Sequence, residues 1–132
     1  MRKKTFILLV FCMTAGLSCK KTDEPAHPSI LGKWRLISGE WPMGRITYDF
    51  SQYYIVYEFK SDNVLTVTGD VDDQVRLGDF PYYFLTATDS DIRRWYTIRI
   101  LATPYKHQVT EEELILDSRQ AAGPLYYFVR IN

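Results

Sequence analysis

Short bursts of alternating apolar and polar residues dominate the chain from about residue 30 onward. Between Tyr53 and Lys60, Ile55, Tyr57 and Phe59 fall on one side and Val56, Glu58 and Lys60 on the other, the period of two that marks a strand. Ser61-Asp62-Asn63 interrupts the pattern with residues that tolerate left-handed backbone. Val64–Thr68 then returns as a β-branched run, so the two segments predict a hairpin. Gly32–Ile37 opens the series with Trp34 and Leu36 on one face. Phe80–Ala87, Trp95–Leu101, Tyr105–Val109, Leu114–Leu116 and Leu125–Ile131 continue it, the last with Leu125, Tyr127, Val129 and Ile131 sharing a face. No stretch after residue 19 sustains a helical period. The pattern predicts an all-β fold of about eight short antiparallel strands, and closing them up-and-down into a small barrel removes the exposed edges an open sheet would leave.

The first residues follow a different logic. Arg2, Lys3 and Lys4 precede the apolar run Phe6–Phe11, and small residues lead to Cys19. A basic start, an apolar middle too short to span a bilayer and a small-residue approach to a cut site describe a secretion signal. A cysteine directly after the cut makes this signal resemble those of bacterial lipoproteins, with Gly16, Leu17 and Ser18 as a relaxed form of the usual approach. That resemblance implies a diacylglyceryl thioether on Cys19, which holds a protein at a membrane stably once two or more acyl chains are attached. Lys20 is unlike the aspartate that retains some lipoproteins at the inner membrane, and Asp23-Glu24 resembles an acidic surface-export tag. The expected location is therefore the outer membrane, facing the periplasm or the cell surface. The chain divides into a signal peptide (1–18), a lipidated cysteine with a flexible Pro-containing tether (19–29) and a barrel domain (30–132).

Charge and cysteine content narrow the choices. The chain carries 16 basic and 16 acidic residues, and losing residues 1–18 removes three bases and no acids, leaving a net charge near −3. Nucleic acid calls for a basic face and is not expected as a partner. Cys12 lies in the removed segment, so Cys19 is the one mature cysteine and the domain folds without a disulfide. His27 and His107 have no neighbour at metal-ligand spacing, and the Asp70, Asp72, Asp73 cluster lacks the closing glutamate of a calcium loop. No serine sits in a Gly-x-Ser-x-Gly elbow. Neither a metal, a cofactor nor an enzymatic activity is expected.

Aromatic residues make up 15% of the chain, and ten of them are tyrosines. Adjacent pairs such as Tyr82-Tyr83 and Tyr126-Tyr127 must send one ring inward and one outward. Tyr57, Tyr82 and Tyr127 are candidate ligand-lining residues. Trp41, on a Gly- and Pro-flanked loop after the first strand, is the fourth. An eight-stranded barrel either holds one small ligand or is filled by its own side chains, and both readings fit these residues.

Gly32-Lys33-Trp34 resembles the lipocalin signature, and Tyr57-Glu58-Phe59 before Asp62-Asn63, with Thr110–Leu114 later, follows the order seen in compact lipocalin-like domains of bacterial lipoproteins. The resemblance covers residues 30–132. It implies that Trp34 packs at the closed end against Arg130, a guanidinium on an indole, and that the loop bearing Trp41 lies over the open end. The function it implies is binding of a small hydrophobic or aromatic-stacking ligand such as a lipid, a pigment-like molecule or a glycan fragment. The alternative is a filled barrel that serves as an interaction module or accessory subunit of an envelope complex.

Overall fold

The computed structural model describes residues 29–43, 45–70, 75–85 and 96–132. The signal segment, Cys19 and the tether up to residue 28 lie outside these residues, as do Gly44, Asp72, Asp73, the expected turn at 88–91 and Trp95. Among the described residues nine strands follow one another: β1 (Gly32–Trp41), β2 (Ile46–Asp49), β3 (Val56–Phe59), β4 (Val64–Thr68), β5 (Gly78–Phe84), β6 (Ile98–Ile100), β7 (Thr103–Val109), β8 (Glu113–Asp117) and β9 (Leu125–Ile131). From β3 to β9 each strand pairs antiparallel with the next, and β9 returns to pair with β1. One edge of β1 meets β9 along Lys33–Glu40. Its other edge is shared, Gly32–Arg35 pairing with β3 and Ser38–Trp41 with β2. β2 and β3 are thus two halves of one stave, and nine strands close as the eight-stave antiparallel barrel that the alternation predicts.

The break in that stave lies where the sequence reads as continuous strand. Ser51–Tyr53 form a turn rather than the start of a strand, and the backbone links Phe50 N–H to Ile37 O (2.8 Å) and Leu36 N–H to Ile55 O (2.9 Å). The kink drives Phe50 and Ile55 into the core, where both are buried. Opposite it, β1 carries a bulge: the register with β9 shifts between Leu36 and Ser38. Trp34 and Leu36 face inward before the bulge, and Gly39 takes that face after it. A side chain at Gly39 would meet the rings of Trp41, Phe50 and Tyr126 at 2.9–3.1 Å, so glycine is what lets three rings converge there. Trp41 belongs to this extended β1 and not to a loop, a correction that follows from the hairpin with β2 (Trp41 opposite Ile46).

The β3–β4 turn is built as its residues suggest. Asn63 adopts φ 63°, and the Asp62 carboxylate accepts from Val64 N–H at 3.2 Å. The barrel has two unlike halves. Around the start of β1, Trp34, Phe59, Tyr82, Leu114 and Phe128 fill the interior and are almost wholly buried. Trp34 donates from Nε1 to Ile30 O at 2.7 Å, and the Arg130 guanidinium lies 4.0 Å from the Trp34 ring centroid. Arg130 also donates to Ser29 O, Leu31 O and Glu111 O, which ties the incoming chain to the last strand and plugs this end. The opposite half is not filled.

Candidate ligand-binding cavity

In the open half, strand after strand turns an aromatic or branched side chain toward a common space. β3 supplies Tyr57 and β4 its register partner Val67. β8 and β9 supply another opposed pair, Leu116 and Tyr126. Phe80 of β5 and Tyr105 of β7 close the sides, and Arg76, just before β5, stands at the mouth. These residues border an open-mouthed cavity of about 270 Å³. Ligand sites run from about 300 Å³ upward, so this space sits just under the usual lower bound. The interior is therefore half filled: packed solid at the Trp34 end and hollow at the other.

Three phenols meet in the hollow. Tyr57 rests its ring 4.8 Å from that of Phe128 and 6.5 Å from that of Tyr126. Burial pushes the Tyr57 phenol well above its ordinary range, and the neighbouring Tyr126 and Tyr105 phenols push it further. Burial likewise raises Tyr105 to about 12, against a smaller opposing effect of its hydrogen bond with Thr103. At neutral pH these hydroxyls stay protonated and offer both donors and acceptors. Arg76 lies over Phe80, 5.8 Å from the ring centroid, and among the described residues it is the one charged side chain of the lining.

Comparison with protein-family models, with curated proteins and with solved structures gives no match. What the cavity can hold follows from its lining alone: apolar walls, a cluster of phenols and one cation.

Of the four residues expected to contact a ligand, Tyr57 alone lines this space. Tyr82 is buried in the closed half, edge-on to Phe59 at 5.2 Å, with its hydroxyl donating to Lys60 O. Tyr127 points outward and is 38% exposed, so Tyr126 is the inward member of that pair. Trp41 stands behind the lining: its ring meets Tyr48 (5.0 Å, 81°) and Tyr126 (5.5 Å, 82°) edge-on. It also borders a second cleft of about 400 Å³ with Glu40, Arg45 and Arg119. That cleft is larger but is lined by mixed charges, and it lacks the converging buried rings that favour a small ligand.

Tyr105, Tyr126, Phe80 and Arg76 are the lining residues that strand composition alone does not single out. Two of them were within reach of a parity argument. Arg130 can stack on Trp34 inside the barrel only if Phe128 and Tyr126 face inward too, since side chains alternate along a strand. Thr103, Tyr105, His107 and Val109 likewise share the inner parity of β7, all of them half-buried while Lys106 and Gln108 are exposed. His107 sits lower on that face. Thr97 Oγ1 accepts from the His107 backbone N–H (3.0 Å), which leaves its own proton to donate to Nδ1 (2.6 Å). Burial lowers the His107 pKa. Among the described residues, no three His, Cys, Asp or Glu side chains gather as a metal site would require.

Proposed function

We propose that this protein is a lipid-anchored envelope protein, held at the outer membrane through Cys19, whose lipocalin-like barrel carries a small apolar or aromatic ligand in its open half. The observation that carries this reading is the 270 Å³ cavity lined by Tyr57, Tyr105 and Tyr126. A barrel evolved only as a solid body gains stability by filling such a space, because an empty apolar cavity costs packing. The volume also limits the cargo. It equals that of about nine liquid water molecules at about 30 Å³ each, enough to enclose a single-ring or short branched molecule, and too little for a pigment or a full acyl chain.

A second reading, the interaction module, draws on a different face. Ile37 of β1, Ile115 of β8 and Tyr127 and Val129 of β9 border a surface groove of about 440 Å³. Tyr127 and Val129 are among the exposed large apolar residues. Exposed apolar patches mark contact surfaces.

Native mass spectrometry of the protein released gently from its own membranes separates the two. A reproducible co-purifying mass of one small molecule is the expected result, and it vanishes in Val67→Trp, which fills the cavity. A bare protein mass, or one shifted by a second polypeptide in both variants, rejects the carrier and favours the module.

A further inference from the structure

Building on the carrier reading, we infer that the cavity selects a small organic anion: an apolar or aromatic body of about one ring bearing a carboxylate or similar oxyanion, held at the mouth by Arg76. Four described arginines lie over aromatic rings: Arg35 over Tyr54, Arg76 over Phe80, Arg99 over Tyr83 and Arg130 over Trp34. Three of them also spend their donors within the fold. Arg35 donates to Ser51 O, Arg99 to the Tyr83 hydroxyl, and Arg130 to three backbone carbonyls. A fifth, Arg119, is paired with Asp117 at 2.8 Å. Arg76 differs. Among the described residues it has neither a hydrogen-bond acceptor nor a carboxylate, and its one contact is the Phe80 face at the cavity mouth.

The rest of the lining tells the same story. Among the described residues, no aspartate or glutamate borders the cavity. A cationic guest would meet Arg76 as a like charge, and a neutral guest would leave its planar fork of donors to water, since Arg76 is exposed. A carboxylate takes that fork in a two-pronged, charge-assisted contact. Deeper in the cavity the Tyr57, Tyr105 and Tyr126 rings, with Leu116 and Val67, receive the apolar body.

Three probes of nearly equal shape test this: phenylacetate, neutral phenylacetamide and cationic 2-phenylethylamine, titrated by calorimetry into the full-length lipidated protein in lipid nanodiscs. Phenylacetate should bind more tightly than the amide by about tenfold, the scale of one charge-assisted hydrogen bond, and the amine should not bind. Arg76→Gln should bring acid and amide to equal affinity, Arg76→Lys should keep a reduced preference, and Arg45→Gln on the outer cleft should change nothing. Circular dichroism establishes that each variant is folded. Equal binding of acid and amide by the wild type, or a preference that survives Arg76→Gln, overturns the anion inference and leaves the carrier standing. Failure of all three probes to bind overturns both.

Discussion

Burial keeps the Tyr57 and Tyr105 phenols neutral, and that has a measurable consequence at alkaline pH. A phenol whose pKa is higher in the folded state than in the unfolded chain adds stability that is complete below about pH 10 and fades as the pH climbs toward the folded value. With Tyr105 raised to about 12 and Tyr57 higher than its ordinary range, stability should decline between pH 10 and 12. Ultraviolet titration at the phenolate band should then show the two cavity tyrosines ionising only with unfolding. Tyr105→Phe should flatten the loss of melting temperature over that interval; an unchanged pH profile would place the Tyr105 hydroxyl in open water. Residue by residue, identity was easier to read than direction. That tyrosines would line the interior is plain from their number on strands, yet choosing Tyr126 over Tyr127 needs the parity set by the Trp34–Arg130 stack. Arg76 gives no signal of its own, since a lone arginine after an acidic stretch reads as a solvated charge until Phe80 and the cavity appear beside it.

At the scale of elements, the barrel owes its shape to two irregularities that local pattern does not announce. The bulge in β1 and the kink at Ser51–Tyr53 lie side by side, and together they swing Trp41, Phe50 and Tyr126 into one cluster around Gly39. Putting a methyl there overpacks the three rings. Gly39→Ala should cost about 1–3 kcal/mol, which lowers the melting temperature of a domain this size by roughly 4–8 °C per kcal/mol. Calorimetry that finds no loss would mean the rings move aside freely. The turn and returning strand of the β3–β4 hairpin, by contrast, were legible to the residue, because Val64–Thr68 is mostly β-branched and Asp62-Asn63 carries its own turn chemistry. Strand ends elsewhere were harder. β5 begins at Gly78 and β7 at Thr103, both before the residues where alternation becomes visible, since backbone pairing continues past the last side chain that needs a core. The weakest stave is also explained at this level. β6 is three residues long, and its neighbours hold Pro81 and Pro104, which lack the N–H that a ladder uses. It borders the cavity through Ile100, so the barrel is softest where a ligand would enter.

Across the described molecule, the mouth and Ser29, where the described chain enters β1, lie at opposite ends. Ser29 joins β1 at the plugged end, under Arg130, whereas Arg76, Phe80 and Leu101 ring the open end. The proposed anchor predicts that Cys19→Ser moves the protein from the membrane fraction to the soluble fraction without altering its melting temperature. Retention on membranes after that change would show that some other feature holds it there. The proposed anchor rests on a signal written in contiguous residues. The cavity could not be read that way, because its lining comes from seven different strands and depends on a closure that no local window contains.

The clasp at the plugged end also decides how the barrel meets mechanical load. A pull on the tether enters at Ser29, whose carbonyl is gripped by Arg130 together with those of Leu31 and Glu111. Beyond the clasp, β1 runs between β9 on one side and β2 and β3 on the other. Tension directed along β1 therefore shears both ladders at once and does not peel them open one bond at a time. The strand nearest the proposed anchor is paired on both edges, and drag on the protein's body reaches the soft stave beside the cavity last.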